Sequence, residues 1–239
     1  MRRLMGRALI AGAGGGIGSA LVDALAARSD VQRVYALHRR PVCSTCEKVR
    51  WLEADLTDAE SVRAATGQVE GALDLVIVAS GVLHDTDLAP EKSLADIDPA
   101  ALGRTFAVNA SAPLVVLSAV KPLLRGAAHP VVCLLSARVG SIANNHLGGW
   151  YGYRMAKAAL NMAAKTAAVE LARERNTPTV VAVHPGTTRT ALSNRFVARR
   201  RQPVVTPQEA AARLLELLQT LNPEHTGAFL NYDGVPLPW

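Results

Sequence analysis

The sequence predicts an α/β fold in which a doubly wound parallel sheet carries helices on both faces. Apolar runs of strand length alternate with helical patterns, and continuous apolar strands separated by helices are typical of a parallel sheet covered on both sides. The 239 residues contain no internal repeat or linker-like segment, so we expect one domain over residues 1–239. The predicted strands are 7–11, 33–37, 49–53, 73–79, 130–136, 179–183 and 228–230, and the main predicted helices are 19–28, 110–124, 151–175 and 207–221.

A glycine cluster directly follows the first predicted strand. Gly12, Gly16 and Gly18 have the spacing G-x-x-x-G-x-G, and an amphipathic helical pattern follows over residues 19–28. Bare backbone N–H groups and the positive end of a helix attract a pyrophosphate, and glycine leaves room for it to approach. The cluster therefore predicts a dinucleotide-binding loop. The alternative is a flexible turn.

Tyr153 and Lys157 stand four residues apart in a helical pattern. Residues at i and i+4 share one face of a helix, so the phenol and the ammonium would lie close together. The positive charge favours the phenolate, and lowering the phenol pKa by roughly three units from ~10 requires about 4 kcal/mol of differential stabilisation. The pair predicts an acid–base group that works near neutral pH. The alternative is a surface helix on which neither side chain has a role.

The composition is that of a soluble globular protein, with 49% apolar and 19% charged residues. No apolar run reaches the roughly 18 residues that a membrane span requires. The amino-terminal residues imitate a secretory signal, but cleavage near Ala26 or Ala27 would remove the glycine loop, so we expect a cytoplasmic protein. The net charge of +6 would attract an anionic dinucleotide. We expect no binding to membranes or to nucleic acid, because the basic run 199–201 lacks interleaved aromatic residues.

The cysteines do not predict a metal site. Cys43 and Cys46 form a C-x-x-C without a second pair, and even with His38 the set would lack a fourth zinc ligand. We expect two thiols on a surface turn, with a redox or zinc role as the alternative. Cys133 lies in an apolar strand and is expected to pack in the core.

Five motifs follow one another along the chain. They are the glycine cluster, Asp55-Leu56 after the third strand, Asn109, the set Ser136, Tyr153 and Lys157, and the turn Pro185-Gly186 followed by Thr190. In this order they resemble the short-chain dehydrogenase/reductase family, and the segments 136–142, 148–151 and 233–239 resemble its C-factor-like branch. The resemblance implies a Rossmann-type fold and hydride transfer between a nicotinamide cofactor and a small-molecule carbonyl or alcohol substrate.

The resemblance also implies a role for each of four catalytic positions. Tyr153 gives the carbonyl its proton, and Lys157 binds the nicotinamide ribose and lowers the tyrosine pKa. Ser136 holds the substrate oxygen, and Asn109 carries a water that links the lysine to solvent. The rival acid is Tyr151 and the rival hydroxyl is Ser141.

The end of the second strand bears on the choice of cofactor. Arg39 and Arg40 stand where an NAD-selective site places an acid, and arginine offers planar, charge-assisted hydrogen bonds to a 2′-phosphate. We therefore expect NADP(H), with NAD(H) as the alternative. The cofactor-binding positions implied are Gly12, Gly16, Ile17, Gly18, Arg39, Arg40, Asp55, Leu56, Gly81, Asn109, Tyr153, Lys157, Pro185, Gly186, Thr188 and Thr190.

The sequence departs from the family pattern in three places. Ala11 stands where a threonine is usual, the segment 78–81 replaces Asn-Asn-Ala-Gly, and the gap between Ser136 and Tyr153 is long. We expect a substrate loop at about 138–150, a lid at about 190–204, and a substrate with a substantial apolar part. The expected apolar wall consists of Val139, Leu147 and Trp150.

Small side chains along the predicted helix 151–175 favour self-association. They allow a partner helix to approach closely, and the resemblance implies a homodimer or homotetramer in which this helix and helix 110–124 pair. A monomer is the alternative. A hypothesis of another class is an NADP(H)-binding signalling or scaffold protein with incidental turnover, against which the intact catalytic set argues.

Overall fold

The computed structural model describes residues 6–39, 46–174, 176–197 and 204–239. Within these residues, seven strands form one sheet in the order β3-β2-β1-β4-β5-β6-β7, and every neighbouring pair is parallel. The strands are β1 (Gly6–Ala11), β2 (Val31–His38), β3 (Val49–Glu53), β4 (Leu75–Val78), β5 (Val131–Leu135), β6 (Thr179–His184) and β7 (Ala228–Asn231). The order reverses between β1 and β4, which is where ligands bind in open α/β sheets.

Helices cover both faces of the sheet. They are α1 (Gly16–Ala26), α2 (Ala59–Thr66), α3 (Pro99–Phe106), α4 (Ala112–Leu124), α5 (Tyr151–Leu171), α6 (Asn194–Val197) and α7 (Pro207–Thr220). Ile10 of β1 packs in one buried layer with α1 and α7, whereas Leu9 packs in the opposite layer with α2, α4 and α5. This alternation along one strand confirms the predicted doubly wound sheet.

Some helix boundaries differ from the prediction. Helix α1 begins at Gly16, inside the glycine cluster, rather than at residue 19. Helix α3 was not predicted, although Asp98 and Pro99 form a recognisable start: the Asp98 carboxylate accepts hydrogen bonds from the N–H groups of Ala100 and Ala101, and proline occupies the first helical position. Helix α5 ends at Leu171, so the predicted extension toward residue 175 was too long.

The helical stretch Pro99–Leu124 spans 26 residues and is apolar enough, by length and composition, to cross a membrane. Its buried side chains, such as Val116 and Val120 of α4, pack against the sheet. A core helix of a globular domain passes the same test of length and composition, and the contacts with the sheet identify this stretch as such a helix.

Candidate active site

The glycine loop is shaped for the close approach of an anion. Gly12 has a φ of 83°, and a Cβ there would lie 2.8 Å from the backbone nitrogen of Ser80. The N-cap of α1 is Gly15, with no side-chain cap and no acidic residue in the first turn. The positive end of α1 therefore remains uncompensated by side chains, as a pyrophosphate site requires.

The adenine side of the predicted site lies at the ends of β2 and β3. The N–H groups of Gly12 and Ala13 donate to the carbonyl of Leu37 over 3.2 and 2.9 Å, which fixes the glycine loop beside β2. Arg39 is exposed just beyond this strand. Two hydrogen bonds from Thr57 hold the pKa of Asp55 below its usual range, and the charge of Arg39 contributes less. Arg40 lies outside the described residues.

The turn predicted to hold the nicotinamide end meets the glycine loop. Gly186 has a φ of 84° and packs against the ring of Tyr232. A Cβ on Gly16 would lie 2.8 Å from the methyl group of Thr190. The structure thus brings together the two halves of the predicted dinucleotide site, although they are far apart in sequence.

Tyr153 and Lys157 lie together on α5. Lys157 is 2% exposed, its Nζ donates to the carbonyl of Leu135 over 2.8 Å, and Nζ lies 5.8 Å from the centre of the Tyr153 ring. Burial lowers the pKa of Lys157 to about 7 and raises the pKa of Tyr153 to about 12. Desolvation penalises both charged forms, so burial alone moves the tyrosine pKa above its ordinary value, and the lowering of that pKa by the lysine stays a prediction.

Asn109 lies in a π-helical turn, Ala107–Ser111, between α3 and α4. Its Nδ2 donates to the carbonyls of Val82 and Thr105 over 2.8 and 2.9 Å, and its Oδ1 accepts from the N–H of Val82 over 3.1 Å. The side chain thus ties the segment after β4 to the helix. Gly81 lies against it, since a Cβ there would be 3.2 Å from Asn109 Oδ1. A π-turn at a candidate catalytic residue is a common feature of functional sites.

The two candidate hydroxyls lie in different surroundings. Ser136 directly follows β5, and its Oγ donates to Oδ1 of Asn161 over 2.6 Å. Ser141 is bound to its own loop, where its Oγ accepts from the N–H of Asn144 and donates to the backbone of Trp239. Ser136 is therefore the hydroxyl next to Leu135, to which Lys157 is bound. Asn161 was missed in the sequence, although its position eight residues after Tyr153 places it on the same helical stripe.

Comparison with known proteins identifies the family. Residues 7–201 match the sequence model of the short chain dehydrogenase family. The chain is a short-chain dehydrogenase. It is 37% identical over 175 residues to "C-signal" of Myxococcus xanthus, and the matched stretch covers 73% of this chain and 98% of that relative. It is also 32% identical over 188 residues to "1-hydroxy-2-glutathionyl-2-methyl-3-butene dehydrogenase" of Rhodococcus sp. (strain AD45), with 77% and 78% covered. The predicted family and its C-factor-like relationship are confirmed.

Solved structures share the fold. The carbonyl reductase Sniffer of D. melanogaster superposes with a TM-score of 0.85 at 24% identity, over 98% of this chain and 100% of that one. The NADPH-bound carbonyl reductase from chicken fatty liver superposes with a TM-score of 0.87 at 25% identity, over 100% of this chain and 96% of that one. The predicted Rossmann-type fold is confirmed.

The predicted substrate loop enters α5 through left-handed residues. Gly148, Gly149 and Trp150 have φ values of 62°, 62° and 54°, and the Arg154 guanidinium donates to the carbonyls of both glycines. A tryptophan in this conformation is strained, which recurs at functional sites. Glu91 holds the helix start, because its carboxylate accepts from the N–H of Gly152 over 3.1 Å.

Aromatic rings extend from Tyr153, the predicted acid–base group, toward the predicted lid. The ring of Trp150 lies 6.3 Å from that of Tyr153 and 5.0 Å from that of Phe196 on α6, and Phe196 lies 5.5 Å from His84. Leu147, by contrast, is 91% exposed. Phe196 thus adds an aromatic ring beside Trp150 of the predicted apolar wall. The sequence did not single it out, because only the fold brings α6 to the start of α5. The predicted lid residues 198–203 lie outside the described residues.

Within the described parts of the chain, no group of three or more His, Cys, Asp or Glu side chains could hold a metal ion. Cys46 is exposed and Cys133 is buried, and burial raises the pKa of the Cys133 thiol well above its ordinary value. Cys43 lies outside the described residues. Cys133 packs in the apolar layer beneath α1 and α7.

Proposed function

We propose that this chain is an NADP(H)-dependent oxidoreductase that interconverts a carbonyl compound and its alcohol, with Tyr153 as the acid–base group. The observation that carries the proposal is the placement of Lys157. Its ammonium is bound to Leu135 O, directly before Ser136, and lies beside the Tyr153 ring. The lysine amine therefore lies between the Tyr153 ring and the strand end that carries Ser136.

The cofactor site is supported by the fit of the chain to a dinucleotide. Gly12 admits no side chain, and the uncapped start of α1 offers N–H groups to a pyrophosphate. Arg39, together with Arg40, is proposed to bind the 2′-phosphate, and the similar carbonyl reductase from chicken fatty liver has NADPH bound. When bound, NADP(H) supplies or accepts the hydride. Lys157 and Thr190 are proposed to hold its nicotinamide end.

The protonation state of Tyr153 suits the reduction of a carbonyl. A phenol with a pKa of about 12 carries its proton at neutral pH, so it can protonate the oxygen on which negative charge develops. Ser136 holds that oxygen from the strand side. Lys157, with a pKa of about 7, is partly charged near neutrality, and its charged form stabilises the phenolate that remains. Asn109 is proposed to keep the water path from the lysine to solvent.

The proposed substrate is a small or medium carbonyl compound with an apolar part. Trp150 and Phe196 offer a face-and-edge aromatic surface beside Tyr153. His84 adds a polar point, because its Nε2 is buried and has no hydrogen-bond partner among the residues that the structure describes. Mostly apolar walls with a few polar groups are typical of small-molecule sites. Residues 142–148 are exposed, so they are proposed to form the outer rim.

The test is oxidation of NADPH by purified protein with matched panels of neutral and carboxylated ketones and aldehydes. We expect turnover with neutral aromatic or aliphatic compounds, loss of turnover in Tyr153→Phe, and retention of NADPH binding in that variant. Tyr151→Phe is the matched control and should keep activity. Inactivation by Tyr151→Phe alone, or turnover confined to carboxylated compounds, would contradict the proposal.

The preference for NADPH is tested by binding. We expect a lower dissociation constant for NADPH than for NADH, and Arg39→Ala should narrow the difference, since a charged hydrogen bond contributes about 1.5–3 kcal/mol. The exposed Arg33, near the amino end of β2 and away from the predicted 2′-phosphate site, provides a charge-matched control as Arg33→Ala. Equal dissociation constants in the unaltered protein would contradict the assignment.

A signalling function is the second candidate, favoured by the 37% identity to a protein named "C-signal". In that case, binding of NADP(H) rather than turnover would matter, and Tyr153→Phe would retain the biological effect.

We also propose a cytoplasmic homodimer or homotetramer. The α5 surface carries exposed apolar side chains at seven-residue spacing, Met155, Met162 and Val169, which would be covered by the same helix of a second copy.

A further inference from the structure

Asn161 is a buried polar residue to which the proposed reaction assigns no role. It is 2% exposed and lies on α5 four residues after Lys157. Its Oδ1 accepts the proton of the Ser136 hydroxyl over 2.6 Å, and Ser136 is itself 4% exposed. A buried polar group is retained without penalty only when it is hydrogen-bonded, and here the hydrogen bond engages the hydroxyl next to the acid–base pair.

The surroundings fix which end of the Asn161 amide faces the serine. Nδ2 points to the carbonyl of Gly140 at 3.4 Å. The flipped amide would bring two oxygen atoms together there, which is unfavourable because neither carries a proton. Oδ1 therefore faces Ser136 as an acceptor, and the single proton of that hydroxyl is directed at Asn161.

The backbone around Asn161 holds it in place. A Cβ on Gly140 would lie 2.8 Å from the carbonyl carbon of Lys157, so the turn Arg138–Gly140 packs directly on α5. Lys157 is bound to Leu135 O, one residue before Ser136. Two consecutive residues at the end of β5 are thus bound to two successive turns of α5, which leaves little freedom to the serine side chain.

We propose that Asn161 is a positioning residue that sets the rotamer of Ser136 and turns the oxygen lone pairs of its hydroxyl toward the substrate. With its proton engaged by Asn161, Ser136 accepts a hydrogen bond from the hydroxyl of a bound alcohol. To hold a carbonyl oxygen it must redirect its proton away from Asn161. Asn161 therefore favours the alcohol form over the carbonyl form at this position.

The inference rests on the proposed function for its kinetic consequences, but its structural consequence does not. In Asn161→Leu the KM for the alcohol should rise roughly three- to tenfold, the factor expected for one hydrogen bond, and the KM for the carbonyl should change less. In the Ser136→Ala background the same substitution should have no such effect. Leu160→Ala, a core change at the adjacent residue, is the control and should lower stability without changing the ratio of the two KM values.

Crystal structures of Asn161→Leu and Asn161→Asp provide the readout that does not depend on turnover. We expect Ser136 to leave its rotamer in the leucine variant and to keep it in the aspartate variant, which retains the acceptor atom but loses the donor to Gly140. If the leucine variant fails to fold, the Ser136 rotamer in Asn161→Asp and the ratio of the alcohol and carbonyl KM values of that variant test the inference by themselves. An unmoved Ser136 in the leucine variant, a displaced Ser136 in the aspartate variant, or equal kinetic losses with and without Ser136 would overturn the inference. An inactive protein with the expected rotamers would refute the proposed function and leave the positioning role standing.

Discussion

Burial of Lys157 predicts how the free energy of unfolding changes with pH. Lys157 is 2% exposed, and its burial lowers its pKa from the ordinary value of 10.5 to about 7. Lys157→Met removes the ionisable group while keeping an unbranched chain of similar length. It also removes the hydrogen bond to Leu135 O, a loss of about 1 kcal/mol that does not depend on pH.

The magnitude follows from the linkage between protonation and folding. Because the folded pKa is depressed, the unfolded chain binds the additional proton between about pH 7 and 10.5, so the free energy of unfolding rises with pH in that window. Below pH 7 the full penalty of about 5 kcal/mol applies. Methionine binds no proton and escapes this penalty. As the pH falls from 10 to 6, the free energy of unfolding of the variant should therefore rise by about 4 kcal/mol relative to that of the unaltered protein.

Urea unfolding of the unaltered protein and of Lys157→Met at several pH values between 6 and 10 measures this difference. Lys165→Met is the matched control, because Lys165 is exposed on the same helix. Its replacement should change the free energy of unfolding by the same amount at every pH. We expect Lys157→Met to be slightly less stable at pH 10 and clearly more stable at pH 6. The burial argument would be refuted if the difference in free energy of unfolding between Lys157→Met and the unaltered protein changed by less than about 1 kcal/mol between pH 6 and pH 10.

Three further predictions concern the site, the subunit interface and the direction of reaction. Gly140→Ala should abolish most turnover, because its Cβ would collide with the Lys157 backbone. Gly103→Ala, whose Cβ would have nothing within 4 Å, should keep activity. Equal losses of activity in the two variants would argue against the close contact at Gly140. Met162→Glu should lower the mass measured by light scattering, because the side chain is 66% exposed on the proposed interface; an unchanged mass would exclude that face. The rate of alcohol oxidation should rise about tenfold per pH unit between about pH 8 and 10, since oxidation needs the Tyr153 phenolate; a flat profile would assign the proton transfer to another group.

The parts of the fold that the sequence predicted are those governed by local patterns. Continuous apolar runs identify buried parallel strands, because both faces of each strand are covered. The glycine spacing identifies the loop between β1 and α1, because Gly12 admits no side chain and Gly15 leaves the helix end uncapped, although α1 begins three residues earlier than predicted. These signals occupy a few neighbouring residues, so a single sequence contains them in full.

The parts that the sequence did not predict depend on contacts between distant segments. Glu91 holds the start of α5 from 61 residues away, and nothing near Glu91 in the sequence marks it as a helix cap. Phe196 reaches Trp150 only through the folded position of α6. The pKa of Tyr153 was predicted from its pairing with Lys157 alone, whereas burial raises the pKa of the tyrosine and lowers that of the lysine. Desolvation depends on the whole surrounding chain, which spacing does not reveal.

The site depends on the register between one strand end and one helix face. Leu135 O accepts from Lys157, and the Ser136 hydroxyl donates to Asn161, one helical turn further along α5. A helix advances by about 1.5 Å per residue and a strand by about 3.3 Å, so any slip of α5 along β5 would break both contacts together. The contact of Gly140 with α5 prevents such a slip by leaving no space between the turn and the helix. The proposed acid–base pair on α5 and the Ser136 hydroxyl thus depend on the same packing contact, which explains why we expect a methyl group at residue 140 to affect both.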